Sequence, residues 1–336
     1  MRWRQNLALG LAAAALAACS GGPAEPAPAG PPPPASWAVF RHLPGVVDLA
    51  GPRADGSFLV AAAGRLFVLA PGGTLSPFAR GVSGYLTTMG TEPYIALVNG
   101  DPVAGERCSF GNGTAFALEP GANPGIIAIS PDGRARRFAS LPPGVSPSGI
   151  AFDGAGRFGH RLLVTAGFRG RATVFGIGCD GQVAMVAAGA PAVEGGIAVA
   201  PPGFGRFGGD LIAPDEGTGR LYAVDPDGQV VTLVRSGLPA GGDIGVESAG
   251  FVPSGAAAAY LADRFSAHNR HPGDNAILRL TAAELARAGI RAGDLLVATE
   301  GGARTIDVRC AAACTVRYVA AGPAIAHAEG HIVFTS

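Results

Sequence analysis

Four segments of this sequence share one plan: an apolar run, a tight turn and a second short run. They are GRLFVLAPGGTLSPFA, GIIAISPDGRARRFA, ATVFGIGCDGQVAMVA and GRLYAVDPDGQVVTLV, and their turn glycines Gly73, Gly133, Gly181 and Gly228 stand 60, 48 and 47 residues apart. A P-D-G or D-G turn between apolar runs is a hairpin signal, because such turns need residues that accept positive φ. Strand pairs precede the hairpins and also match one another, as in GIAFDGAGRFGHRLLVTA and GIAVAPPGFGRFGGDLIAPD. Each unit therefore holds about four short strands in roughly 50 residues, a period that demands a repeating all-β architecture. The 53 glycines and 28 prolines among 336 residues suit many tight turns and argue against a helical bundle.

The period is that of a β-propeller blade. Beyond residue 245 the pattern loosens. SAGFVPSGAAAAYLADR reads as strands one and two of a fifth unit, and NAILRL as its third. TAAELARAGIRAG predicts a short inserted helix near 281–288, with Thr281 as N-cap and Glu284 completing a capping box. GDLLVATEGGARTIDVRCAAACTVRYV matches GDLIAPDEGTGRLYAVDPDGQVVTLV nearly position for position and reads as part of a sixth unit. AIAHAEGHIVFTS reads as strands one and two of a closing unit, which SWAVFRHLP near the N-terminus could complete. Closure between the termini removes sheet edges that would otherwise aggregate. The expectation is a β-propeller of six four-stranded blades over residues 37–336, with five or seven left open.

Over residues 40–336 this repeat resembles the six-bladed propellers that include the NHL and SMP-30/gluconolactonase-like proteins. The SMP-30-like enzymes hold a divalent metal over the central channel with Glu, Asn and Asp. By that resemblance Ser148 stands where the family shows Asn, Glu194 where it shows Asp, and Asp48 is the acid nearest its N-terminal Glu.

In a meander blade the loops joining strands two to three, and blade to blade, share one end, where propeller sites usually form. The D-G turns fall at the other end, so Asp132, Asp180 and Asp227 read as turn chemistry. The site end is expected to carry the long loop Asn99–Thr114 and a ligand-binding rim of Arg169, Asp215, Glu216, Asp263, Arg264, His268, His271 and Asp274. Glu194 and Glu247 precede innermost strands at one blade position, and Glu329 falls near it. If the three ring the channel mouth, a divalent cation, calcium first, would relieve their repulsion. Alternatively each Glu accepts backbone N–H bonds from its own turn and staples blade to blade.

The N-terminus reads as an address. Residues 1–18 carry Arg2 and Arg4 before a twelve-residue apolar run, too short to span a bilayer but suited to an export signal. Leu16-Ala17-Ala18-Cys19 resembles a bacterial lipobox, which implies cleavage before Cys19 and acylation of it, palmitate included. Residues 19–36, rich in Pro and Ala, read as an extended tether. The chain would then be exported and anchored to the cell envelope by lipid, facing the periplasm or the surface. Of the other cysteines, Cys310 and Cys314 flank a hairpin turn and are expected to pair. Cys108 and Cys179 are placed on opposite ends of the fold, which argues against their pairing.

All 25 basic residues are Arg and the formal net charge is zero, so the footprint of nucleic-acid binding is missing. Two function classes remain. One is a monomeric, membrane-anchored module that binds a protein, peptide or carbohydrate through its loop face. The other is a metal-dependent hydrolase or lactonase of the SMP-30-like type, with Glu194, Glu247 and Glu329 as ligands and a histidine as base.

Overall fold

A computed structural model describes residues 33–79, 93–99 and 108–335. The leader, Cys19 and the tether up to residue 32 lie outside these, as do residues 100–107 of the long loop. The chain opens with β1 (Ala35–Ser36) and β2 (Ala38–His42), and four four-stranded antiparallel sheets follow. The first is β3 (Val46–Ala50), β4 (Phe58–Ala62), β5 (Arg65–Leu69) and β6 (Leu75–Ala79). The second is β7 (Ile95–Leu97), β8 (Ala115–Glu119), β9 (Gly125–Ile129) and β10 (Ala135–Ser140). The third is β11 (Ser146–Phe152), β12 (Leu162–Phe168), β13 (Arg171–Ile177) and β14 (Val183–Ala190). The fourth is β15 (Ala198–Val199), β16 (Leu211–Asp215), β17 (Arg220–Val224) and β18 (Val230–Arg235). Then come β19 (Val246–Phe251), β20 (Ala258–Asp263), β21 (Ala276–Thr281), the helix α1 (Ala282–Arg287), β22 (Leu295–Thr299), β23 (Thr305–Cys310), β24 (Cys314–Ala321) and β25 (Ala328–Thr335).

The architecture is all-β and propeller-like. In each of the four separate sheets the D-G or G-G turn joins strands three and four. Gly73, Gly133, Gly181 and Gly228 have φ of +87°, +86°, +82° and +82°, and each N–H closes the turn on the carbonyl three residues back at 2.8–3.0 Å. Inner strands are buried on both faces, as in VVDLA of β3 and FLVAA of β4, whereas outer strands such as β6 and β10 show exposed residues. Apolar clusters fill the spaces between neighbouring sheets. Leu59 and Leu66 of the first sheet meet Ile95 and Ile129 of the second. Leu49 and Phe58 of the first also meet Tyr260, Ile277 and Val333 near the C-terminus, so the packing closes on itself. Each such side chain contributes about 1.5–3 kcal/mol through burial.

The last strands form one nine-stranded sheet in the order β1-β24-β23-β22-β19-β25-β20-β21-β2. Here the structure corrects the sequence reading. SAGF of β19 and YLAD of β20 are not paired neighbours: β19 pairs with β22, while β20 pairs with β25 and β21. The chain leaves β19, builds β20 and β21, and returns through α1 to β22. AEGHIVFT is a single strand, not two. Two four-stranded runs result, joined where β19 and β25 run parallel at Ala249 and His331. β2 adds to the outer side of β21, as closure between the termini requires, and β1 lies parallel to β24. Thr281 caps α1 and shares the reciprocal capping box with Glu284.

The loop after Leu97 is also corrected. β7 is the innermost strand of its sheet, so the connection to β8 joins strands one and two, and its described part, Cys108–Thr114, lies at the D-G end. Cys108 therefore shares that end with Cys179 in a D-G turn. The two form a disulfide, with Cα atoms 5.8 Å apart, against the sequence expectation. Cys310–Cys314 is a disulfide as expected.

A candidate metal centre at the channel mouth

At the end opposite the D-G turns, acidic residues converge from several elements. Glu247 sits where the β19–β22 register slips between Val246 and Ser248, a bulge that takes it out of the ladder. Glu329 opens β25. Glu300 follows β22, and Glu216 follows β16 at the equivalent place. Glu247, Glu300 and Glu329 are buried and Glu216 is half-buried. Ligand-capable atoms of Glu216, Glu247 and Glu300 lie within 4.8 Å of one another, and so do those of Glu300, His327 and Glu329. Two oxygens at calcium distance on opposite sides of an ion are separated by about that much.

Among the described residues three side chains supply donors at this mouth. The Tyr94 hydroxyl lies against Glu247 Oε1 and 2.7 Å from Glu329 Oε2. It has one proton and cannot serve both carboxylates at once. Arg264 Nη1 donates to Glu329 Oε1 at 3.0 Å. His327 Nε2 lies 3.2 Å from Glu329 Oε1 and 3.3 Å from Glu300 Oε1. Two buried atoms, Glu300 Oε2 and His327 Nδ1, have no hydrogen-bond partner. Burial, followed by the Glu329 charge, pushes the Glu300 carboxyl up to about 10. Burial works the same way on Glu329, but the bonds from His327, Arg264 and Tyr94 hold it below the usual carboxylate range.

Glu194 does not join this group. The Val252 N–H bond to Asp294 O is the counterpart of the Ala200 N–H bond to Asp210 O. Counting back equally from each reaches Glu247 in one sheet and Gly195 in the other. Matching by residue type set the register one residue off. Gly195 packs against Glu247, where any Cβ would collide, and Glu194 turns to a separate pocket.

Among the expected rim residues, Glu216 and Arg264 belong to the mouth. Asp215 closes its own turn, accepting from the Thr218 hydroxyl at 2.6 Å and its N–H at 3.2 Å. Asp263 is buried, accepts the His327 N–H at 2.9 Å and is pushed above the usual range by burial. His271 Nδ1 bonds Ala324 O at 2.7 Å. Asp274 is exposed beside His42, and His268 is exposed. Arg169 lies on the rim of the Glu194 pocket. The residues that the sequence reading missed are Glu300 and Tyr94. Glu300 carried a signal, since ATEGG aligns with PDEGT, which places Glu300 on Glu216. Tyr94 carried none.

Asp48 is a structural tie, not a mouth ligand. Its buried carboxylate accepts the N–H groups of Leu49, Ile95 and His331 at 2.7–2.8 Å. The His331 ring places Nδ1 2.9 Å from Asp48 Oδ2 and Nε2 2.8 Å from Ile150 O. Both nitrogens face acceptors, so the ring carries two protons. Burial opposes that charge, but Asp48 and the carbonyls of Ile150 and Ile197 raise its pKa above the ordinary histidine value. Around His331 runs an apolar channel of about 370 Å³ whose lining includes Leu97, Phe152, Val199 and Phe251.

No family model matches the chain, and no curated protein matches it. Solved structures do. A nidogen/laminin complex aligns at TM-score 0.53 and 15% identity, over 87% of this chain and 85% of that one. The calcium-binding protein regucalcin from Agrobacterium tumefaciens aligns at 0.47 and 12%, over 85% and 78%. A streptogramin B lyase aligns at 0.44 and 12%, over 84% and 71%. At these identities the likeness is one of fold.

Proposed function

We propose that this chain is a cation-dependent hydrolase acting on an activated carbonyl such as a lactone or ester, with its reacting centre at the channel mouth. The carrying observation is Glu300. It is buried, shared by both ligand groups, and keeps an unpartnered oxygen, while His327 of the second group keeps an unpartnered Nδ1. Glu216, Glu247 and Glu300 would hold the ion; an all-oxygen set favours calcium. When bound, a divalent cation polarises a carbonyl and eases ionisation of water. Held through Nε2 by Glu329, His327 presents Nδ1 as a proton acceptor and serves as the base. Arg264 and Tyr94 keep Glu329 ionised and fixed.

The same reading takes the nine-stranded sheet as two blades sharing a seam, which with the other four sheets makes six. It also places the protein outside the cytoplasm on a lipid at Cys19, and the two disulfides favour an oxidising compartment. Cys19→Ser should release the protein from the membrane fraction.

Calorimetry with calcium and manganese, together with turnover of a lactone and ester panel, tests the function. One ion per chain is expected, lost in Glu300→Gln, with hydrolysis lost in His327→Ala. A protein that binds no ion and hydrolyses nothing would return the mouth to the binding-module reading.

A further inference from the structure

A second pocket, of about 190 Å³, opens at the same end between the third sheet and the segment that leads to the fourth. That is about six waters' worth of space. Phe168, Ala172 and Val193 form its apolar wall, Arg169 and Arg171 its rim, and Glu194 one side. Arg169 and Gly170, at φ +53° and +74°, make a two-residue hairpin turn between the paired Phe168 and Arg171. Asn or Gly is favoured at the first of these positions, and a long side chain there is strained. The chain nonetheless keeps an arginine. Its guanidinium lies 4.9 Å from the centre of the Phe168 ring, which is 47% exposed. Arg171 spends one N–H on Gly189 O at 2.8 Å, which fixes its plane and leaves the rest of its fork. Among the described residues no carboxylate pairs with either arginine. The pocket abuts the acidic mouth, because Gly195, next to Glu194, packs on Glu247.

We propose that this pocket anchors the substrate as a small organic carboxylate. Its apolar body would lie on Phe168, Ala172 and Val193, its carboxylate between Arg169 and Arg171, and its reacting carbonyl would extend past Gly195 toward the mouth. This rests on the hydrolase reading for the last step only. A guanidinium fork recognises a carboxylate through two parallel N–H···O bonds, and a second guanidinium adds charge to the same group.

The test follows backbone amide signals of Ser148, Gly170 and Glu194 by NMR during titration with benzoate, with benzyl alcohol and inorganic phosphate run in parallel. Benzoate is expected to shift these signals, and both controls to leave them in place. The Arg169→Ala/Arg171→Ala variant should bind benzoate at least tenfold more weakly, with calcium binding unchanged by calorimetry. Arg169→Gly should also lose benzoate while melting about 2 °C higher, because the strained turn relaxes. Failure of benzoate to bind, or an equal response to either control, overturns the proposal. Calcium binding without benzoate binding sinks this proposal alone; benzoate binding without calcium sinks the hydrolase reading alone.

Discussion

Glu300 concentrates the electrostatic cost of the channel mouth. Its carboxyl, pushed up to about 10, takes up a proton on folding that the unfolded chain releases near pH 4.5. Stability must therefore fall as pH rises from that ordinary value toward about 10. In chelator at pH 8, Glu300→Gln is expected to melt above wild type, and the two should converge near pH 4. With calcium the order should reverse, because binding stabilises only the protein that can hold the ion. Thermal melts at both pH values with and without calcium check this. His331 gives a second test. Its raised pKa means that the Asp48–His331 pair contributes fully below the ordinary histidine value and fades as pH rises through the raised one. Asp48→Asn should cost about 3 kcal/mol at pH 6 in urea unfolding, and less at alkaline pH. At this scale the sequence was half legible. Glu247 and Glu329 could be found from their place before inner strands. Glu194 was misplaced because Glu-Gly-Gly looks like Glu247-Ser-Ala by residue type, whereas the hydrogen-bond register matches Gly195 to Glu247. Tyr94 reaches carboxylates 153 and 235 positions away, a proximity that only the closed ring creates.

Elements whose causes are local were the most readable. The D-G turns and the α1 capping box need only neighbours within four residues, and each formed as its residues require. Which strand is innermost is not local. A short strand such as β7 carries no mark of its rank, so its loop was assigned to the wrong end and Cys108 with it. The resulting disulfide ties the second sheet to a hairpin of the third across 71 residues, whereas Cys310–Cys314 spans 4. Loop-closure entropy ranks them: removing the long bridge should cost about 4 kcal/mol and the short one about 2. Urea unfolding of Cys108→Ala/Cys179→Ala against Cys310→Ala/Cys314→Ala measures the difference. Equal losses would mean that the bridges act through native packing and not through the unfolded chain.

The whole molecule depends on an exchange that no repeat count reveals. β20 and β21 are made between the two halves of the β19–β22 pairing, so the last two strand runs cannot form one after the other. β25 and β2 come from opposite ends of the chain and flank them. Once the ring is closed, β21 is covered by β2 through Ala38–Arg279 and His42–Ala276. Trp37, buried, anchors the segment with its indole N–H on Thr305 at 2.8 Å. Deleting residues 33–42 would expose the N–H and C=O row of β21, a long edge ready to pair with another copy. The expected result is self-association in light scattering and a lower melting temperature, because the ring loses both an edge cover and the Trp37 contact. A synthetic peptide of residues 33–44 added in trans should restore both, since pairing to β21 needs a strand and not a covalent bond. If the shortened chain stays monomeric at unchanged melting temperature, the ring is held by its apolar clusters alone. The N-terminal strand would then be an appendage, not a clasp.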